Sequence, residues 1–320
     1  KNWVDRSTHP HQVPGYTAVT LSLKKPGIAP GDITSEQMEA VADWADAHSF
    51  GEVRATHEQN LVLADVKQSE LFAVWEKARA AGLATPTFGL LTDLICCPGG
   101  DFCALANAKS IPIANAIQAR FDDLDYLFDI GEIDLNISGC MNACGHHHVG
   151  HIGVLGVDKN DSEFYQVTLG GRQGNDAKLG KVIGPSFAAG EMPDVVDKII
   201  KVYVETRHPD ERFLDTFDRI GIDPFKNRVE AESSVSRQRV IDWWKDVAFT
   251  RLEPNGSAIV FATRWHPDDL SGHLIKQGWR YIRLPALADD GAPLWPTRYD
   301  AASLDEIRRY REESELELEV

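Results

Sequence analysis

No stretch of this sequence is apolar for long enough to span a bilayer, and the opening Lys1-Asn2-Trp3 has none of the marks of a signal peptide. An initiator Met is missing too, which suggests a trimmed or partial chain. Positive charge is in short supply. Against 49 Asp and Glu stand 33 Lys and Arg, a net charge of -16 that opposes nucleic-acid binding through a basic surface. The sequence has no Gly-x4-Gly-Lys-Ser/Thr run, so it offers no phosphate loop for a nucleotide. Cysteine is scarce as well, five in 320 residues, but the five are not scattered. The apolar fraction of 43% is ordinary for a globular protein, and the length allows two or three domains with sizeable cores.

The cysteines are Cys96, Cys97, Cys103, Cys140 and Cys144, and four of them form the pairs Cys97-x5-Cys103 and Cys140-x3-Cys144. Gly99, Gly100, Gly139 and Gly145 bend the backbone around them. Four thiolates gathered from two loops meet the ligand requirement of a cubane iron–sulfur cluster. Structural zinc usually takes tighter Cys-x2-Cys or Cys-x4-Cys knuckles. Disulfides fit worst, because nothing else in the chain points to an oxidising compartment. The spacing therefore ranks a cluster ahead of zinc and a set of buried thiols last. Clustered cysteines without an export signal point to a reducing cytoplasm.

Hydrophobic periodicity organises the rest. Residues 16–23 alternate, with Val19, Leu21 and Leu23 on one face and Thr20 and Ser22 on the other, which predicts a half-buried strand. Thr34 with Gln37 three residues on predicts a capped helix carrying Met38, Val41, Ala42 and Ala45 at helical spacing. Strands near 52–56 and 61–66 and a helix over 69–81 complete a β-α-β-β-α order, that of a ferredoxin-like half-domain. Beyond Cys103 the pattern predicts a short helix into Lys109, a helix from Ser110 through Phe121, and a strand over 132–138 aimed at Cys140. His146, His147, His148 and His151 read as a solvated strand entrance ahead of a metal site. A strand over 164–169 ends in Gly170-Gly171-Arg172, and helices follow over 193–207 and 210–220.

Cys97-x5-Cys103 followed by Ala104-Leu105-Ala106, together with Gly139-Cys140-Met141-Asn142-Ala143-Cys144-Gly145, resembles the sirohaem and 4Fe–4S signature of assimilatory sulfite and nitrite reductases. The resemblance covers about 13–228 and closes on Gly221-Ile222-Asp223-Pro224-Phe225-Lys226. It implies an α+β chain, with a ferredoxin-like half-domain over 1–88 and a sirohaem and iron–sulfur α/β domain over 89–228. It also implies that Cys97, Cys103, Cys140 and Cys144 hold the cluster and that Cys144 bridges to the sirohaem iron. Cys96 has no partner at the family's spacing. Arg54, Gln59 and Asn60, in the Arg54-Ala55-Thr56-His57-Glu58-Gln59-Asn60 connection, correspond to a family run that faces the sirohaem. Asn142, Gly171 and Arg172 are further cofactor-binding candidates. The implied activity is the six-electron reduction of sulfite to sulfide or nitrite to ammonia, with ferredoxin or an NADPH flavoprotein as donor. A missing N-terminal half would supply most anion-binding residues.

After Arg228 the composition shifts, with five of the eight tryptophans in what remains. Thr263-Arg264-Trp265-His266-Pro267-Asp268-Asp269-Leu270, after a run read as a buried strand from Ile259, resembles the coupling motif of phage terminase large subunits. Residues 233–252, Leu284-Pro285-Ala286 and Leu294-Trp295-Pro296 resemble its surroundings. Residues 229–320 are thus expected to be an incomplete α/β terminase-like fragment, or the partner in a non-functional chimera. The last stretch, 312–319, is expected to fray.

Overall fold

Alternation and capping build the first layer. In the computed structural model, which describes all residues but 160–161, 233, 254–255, 263–265, 285–291, 294–295, 297–299, 301 and 303–320, the chain divides into two units, 1–229 and 230–320. The first opens with α1 (Asn2–Ser7) and β1 (Thr8–His9), then β2 (Tyr16–Leu21), α2 (Ser35–His48), β3 (Val53–Ala55), β4 (Leu61–Lys67) and α3 (Leu71–Ala80). The strands form an antiparallel sheet in the order β1-β2-β4-β3. Thr34 and Gln37 close the expected capping box: Gln37 N donates to Thr34 Oγ1 at 3.2 Å, and Thr34 N to Gln37 Oε1 at 2.9 Å.

Two details of this layer differ from the sequence reading. The buried stripe of α2 is Val41, Trp44 and Ala45, while Met38 and Ala42 are exposed, because the i, i+3, i+4 set facing the sheet starts one turn later than the cap suggests. The strand is also buried on both faces. Val19, Leu21 and Leu23 enter the core, yet Thr20 and Ser22 are buried as well, with Thr20 Oγ1 2.7 Å from His9 Nε2 and Ser22 Oγ accepting from Lys24 N at 3.3 Å.

The remainder of the first unit holds β5 (Ile95–Cys96), α4 (Ile111–Arg120), α5 (Leu124–Ile130), β6 (Leu135–Ser138), β7 (Ile152–Lys159), β8 (Ser162–Leu169), β9 (Lys181–Val182), β10 (Phe187–Ala188), α6 (Met192–Thr206), α7 (Phe213–Ile220) and α8 (Asp223–Glu232). Its sheet runs β10-β8-β7-β6-β5, with β9 paired to β8. β5, β6 and β7 are parallel, and β8 returns antiparallel to β7. All four residues of β6 are buried, as befits a central parallel strand covered on both sides.

The expected helix between Cys103 and Lys109 is absent. That segment turns instead, because Asn107 N and Ala108 N both donate to Gly139 O, at 2.9 and 3.0 Å, which pulls the backbone away from helical pairing. α5 is a helix that periodicity did not single out. It is capped by Asp123, whose Oδ1 accepts from Asp125 N and Tyr126 N, and is stopped by Gly131 at φ +74.

The second unit has α9 (Ser234–Trp243) packed against α10 (Leu270–Lys276), with Ile241 and Leu274 buried. Asp269 caps α10, accepting from Gly272 N at 2.8 Å. The buried strand expected from Ile259 does not form. Ile259 and Phe261 are each 94% exposed, and among the described residues of this unit no strand stands beside them to complete a ladder. The motif residues Thr263, Arg264 and Trp265 lie outside the described residues, as do Ser233, Pro285, Ala286, Leu294, Trp295 and 312–319.

α6 shows what holds the larger core. Met192, Val195, Val196, Ile199, Ile200, Val202 and Tyr203 are buried, each apolar side chain contributing about 1.5–3 kcal/mol by leaving water. Replacing the fully buried Ile199 with Ala should cost about 2–5 kcal/mol, read as a lowered denaturant midpoint at unchanged slope. A loss below about 1 kcal/mol would mean that this helix is not part of the core.

Candidate iron–sulfur site

The cysteine turns meet because their strands do. β5 pairs with β6 in the register Ile95↔Asn136 and Cys96↔Ile137, and Cys97 N continues the ladder to Ile137 O at 3.0 Å. Both strands therefore end on the same side, and each runs into a cysteine turn. Gly139 N donates to Cys97 Sγ at 3.0 Å, and Ser110 Oγ lies 3.4 Å from the same sulfur. Hydrogen bonds to sulfur of this kind tune a sulfur-ligated centre. Glycine permits the closeness: a Cβ on Gly139 would stand 2.6 Å from Ala108 O and 2.8 Å from Gly99 Cα, and one on Gly145 only 2.0 Å from Ile137 O. The second turn carries left-handed non-glycine residues, Ala143 at φ +57 and His146 at φ +53, held by Ala143 N to Cys140 O and His146 N to Ala143 O.

All five thiols are free, with Cys97 and Cys140 buried, Cys103 half-buried and Cys144 exposed. Among the described residues no three His, Cys, Asp or Glu side chains close to the spacing of a single ion. One tetrahedral zinc would hold its sulfurs about 4 Å apart, whereas a cubane spreads its four ligands over a larger body. Unpaired thiols on two apposed turns, with one N–H donor on a sulfur, thus fit a cluster better than one zinc. Cys96 faces the other way, into the apolar core, with its Sγ 3.2 Å from Cys97 O. Burial and the neighbouring Cys97 push its thiol well above the ordinary range. The turns also raise large apolar side chains into solvent: Phe102 is 81% exposed and Met141 84%, and Leu105 is exposed as well.

Behind β5 lies a polar network that sequence reasoning found only in part. Gln59, at φ +60, spans the backbone of Cys96: its Nε2 donates to Cys96 O at 2.8 Å and its Oε1 accepts from Cys96 N at 2.9 Å. Asn60 accepts from Leu23 N at 3.0 Å and donates to Asp93 Oδ1 at 2.9 Å. Lys24, which the sequence reading passed over, is fully buried with Nζ donating to Leu94 O at 2.8 Å and Gln59 Oε1 at 3.3 Å. Burial lowers its pKa to about 8, against the opposing pull of Asp93, Cys96 and Glu58.

The other candidates lie elsewhere. Both amides of Gln59 and Asn60 are thus spent on protein groups. Arg54 is exposed and pairs with Glu52 at 2.5 Å. Asn142 sits exposed in the second cysteine turn. Gly171 and Arg172 follow Leu169, which pairs with Ile152, itself paired with Leu135 at the start of β6. They stand at the end of the sheet away from Cys140, where Arg172 pairs with Asp218 and with Asp176 at 3.2 Å. The histidines are solvated only in part, His146 being exposed and His148 half-buried. His147 is buried, with Nδ1 lacking a partner among the described residues and its pKa lowered to about 4 by burial and His148. His151 Nδ1 accepts from Asp134 N at 3.1 Å. Both rings close against protein because the chain folds back along β6 before β7 begins.

Free thiols raised on turns at the ends of parallel strands, behind a ferredoxin-like half-domain, define an iron–sulfur protein. Residues 9–81 match the nitrite/sulfite reductase ferredoxin-like half domain, and residues 90–237 match the nitrite and sulphite reductase 4Fe-4S domain. Over this span the chain is a member of the nitrite and sulfite reductase family. That membership implies a 4Fe–4S cluster and sirohaem as cofactors. The chain is 29% identical over 217 residues to sulfite reductase (ferredoxin) 2 of Mycolicibacterium paratuberculosis, covering 64% of this chain and 39% of that protein. It is 27% identical over 200 residues to ferredoxin–nitrite reductase of Synechococcus elongatus, covering 60% and 37%. The solved structure of the Mycobacterium tuberculosis NirA protein superposes with a TM-score of 0.57 at 27% identity, over 69% of this chain and 41% of that one. The chain thus spans about two fifths of the length of these curated relatives.

The buried carboxyl of the polar network gives a pH test. Asp93 is pushed up to about 6 by burial, against the bonds from Asn60 and Gly89 N and the Lys24 charge, while Glu58 adds to the rise. A carboxyl whose folded pKa exceeds its unfolded 3.8 stabilises the fold most below about 4, and that contribution is lost as pH rises through about 6. The difference is worth roughly 3 kcal/mol. Unfolding free energy measured from pH 4 to 7 should therefore fall less steeply in Asp93→Asn than in wild type. Parallel curves would show that Asp93 does not titrate in this way.

Proposed function

We propose that the chain is the cofactor-binding C-terminal portion of a sirohaem-dependent sulfite or nitrite reductase, with Cys97, Cys103, Cys140 and Cys144 as cluster ligands and Cys144 also joined to the sirohaem iron. The observation that carries this reading is the apposition of the two cysteine turns at the shared end of β5 and β6, with Gly139 N–H on Cys97 Sγ. When bound, the cofactors supply one-electron carriers and an open iron face for the anion. The chain's own part is to fix the sulfurs. The β5–β6 ladder sets the spacing between the turns, and the bonds of Asn107 and Ala108 to Gly139 O lock one turn against the other. The exposed apolar residues Phe102, Leu105 and Met141 border the sulfurs and suit a face that a cofactor and the rest of the enzyme cover, excluding water. Ferredoxin is the electron donor named in the relatives' own names, and sulfite or nitrite the oxidised substrate. The exposed Arg54 and Asn142 remain candidates for sirohaem carboxylates, which need cations and amide donors. Gln59 and Asn60 support the site from behind, through Cys96 and Asp93.

Anaerobic reconstitution tests the ligand set. About four irons per chain with matching acid-labile sulfide are expected, unchanged in Cys96→Ser and lost in Cys97→Ser. Stoichiometric zinc without iron under the same conditions would sink the proposal. At equal sirohaem occupancy, Cys144→Ser should alter both the haem absorption and the cluster signal, since it replaces a soft ligand with a hard one. A haem spectrum that shifts in Cys97→Ser and not in Cys144→Ser would move the bridge to the first turn.

For residues 229–320 we propose a terminase-like fragment without nucleotide chemistry, given the lack of a phosphate loop. No ATP hydrolysis is expected from the purified chain. Turnover that Arg264→Ala abolishes would overturn that.

A further inference from the structure

A lysine ammonium seldom enters a protein interior without a carboxylate beside it, because the ion loses its hydration and regains little. Lys24 is 1% exposed, yet the acceptors of its Nζ are two neutral carbonyl oxygens, Leu94 O at 2.8 Å and Gln59 Oε1 at 3.3 Å. The arrangement sits where the two domains of the first unit join. Lys24 follows β2 of the ferredoxin-like half-domain, while Leu94 precedes β5 and lies three residues before Cys97. The same Gln59 oxygen that accepts from Lys24 also accepts from Cys96 N, and the Gln59 amide donates back to Cys96 O. One cation and one amide therefore grip Leu94 and Cys96, on either side of Ile95, in the segment that delivers the first cysteine pair.

Resting on the cluster assignment above, we infer that Lys24 is a positioning residue, which fastens β5 to the ferredoxin-like half-domain and sets a fixed positive charge behind the cluster. The two roles have separate physical causes. Fastening follows from the hydrogen bonds: without the ammonium, Leu94 O is left buried and bare, and Gln59 loses the donor that holds its oxygen against Cys96 N. Tuning follows from the charge. Adding an electron to a cluster is easier when a buried cation lies nearby, so Lys24 raises the reduction potential above that of a neutral site. The acids that oppose it are Asp93 on the segment before β5 and Glu58 on the β3–β4 connection. Lys24 touches neither sulfur ligand nor substrate, and it acts through Gln59 and the backbone.

The full chain tests both roles. Lys24→Met keeps the length of the side chain and removes its donors and charge, and Lys24→Arg restores both in a larger group. In protein purified without iron, hydrogen exchange at the amides of Cys96 and Cys97 should be roughly tenfold faster in Lys24→Met and should recover in Lys24→Arg. Unchanged exchange overturns the fastening. If Lys24→Met speeds exchange throughout the sheet, Gln59→Leu decides. It removes both bonds to Cys96 and leaves the cation in place, so acceleration confined to residues 94–97 supports the clamp, and none refutes it. In reconstituted protein at equal iron content, the cluster midpoint potential should move to more negative values in Lys24→Met and stay near wild type in Gln59→Leu. Equal potentials in wild type and Lys24→Met overturn the tuning. A wild-type chain that takes up no iron defeats the cluster assignment, while the exchange measurement still decides the clamp.

Discussion

The parallel ladder between β5 and β6 is the constraint on which the site depends. β5 is only two residues long, and its register against β6 is continued by a single bond from Cys97 N to Ile137 O. Parallel strands end on one side of a sheet, so two turns separated by some forty residues of chain emerge together without any direct attraction between them. An antiparallel partner for β5 would have put the two cysteine turns at opposite ends. The crossover that makes the pairing parallel is built from α4 and α5, whose Ile113, Ala114, Ile117, Leu127 and Ile130 enter the same core as Ile137 and Val154. Site geometry and core packing are thus one problem here. A cavity under β6 would loosen the sulfurs as well as the fold.

A strand this short has little ladder of its own, and the protein compensates with polar groups. Gln59 brackets Cys96, Asn60 ties Leu23 to Asp93, and Lys24 caps Leu94 O. Each of these groups is costly to bury singly, and the network is tolerable because nearly every donor meets an acceptor. Two apolar cores, one per domain, could slide past each other; directional bonds between them set a unique register. That explains why a buried lysine and a buried aspartate lie at the junction instead of a further patch of leucine and valine.

Much of this was legible from spacing. Cys97-x5-Cys103 and Cys140-x3-Cys144 identified the turns, and Thr34 with Gln37 announced α2. Periodicity failed where tertiary bonds override local pattern. Residues 103–109 look helical in composition but turn, because their N–H groups go to Gly139 O, a partner no local pattern reveals. Thr20 and Ser22 read as a solvent face, since alternation cannot show that His9 and the chain after the strand cover it. Lys24 went unnoticed because a lysine after a strand is ordinarily a surface residue. The run at 54–60 was singled out as a unit, yet its members part company. Gln59 turns inward through its left-handed backbone, while Arg54, a strand residue on the edge, faces water. Sequence order alone does not distinguish the two.

Among the exposed large apolar side chains, two sets differ in kind. Phe102, Leu105 and Met141 stand on turns whose backbones are pinned, by Cys103 N to Gly99 O, Ala106 N to Cys103 O and the paired bonds to Gly139 O. Their exposure is held in place by these bonds, so it belongs to a formed surface of the kind that suits a binding face. Ile259 and Phe261 are exposed on a segment that belongs to no sheet among the described residues. A strand-forming sequence with no ladder among the described residues has its backbone groups and apolar face unmatched there. The same degree of exposure thus rests on hydrogen-bonded turns in the first unit and on no ladder among the described residues of the second.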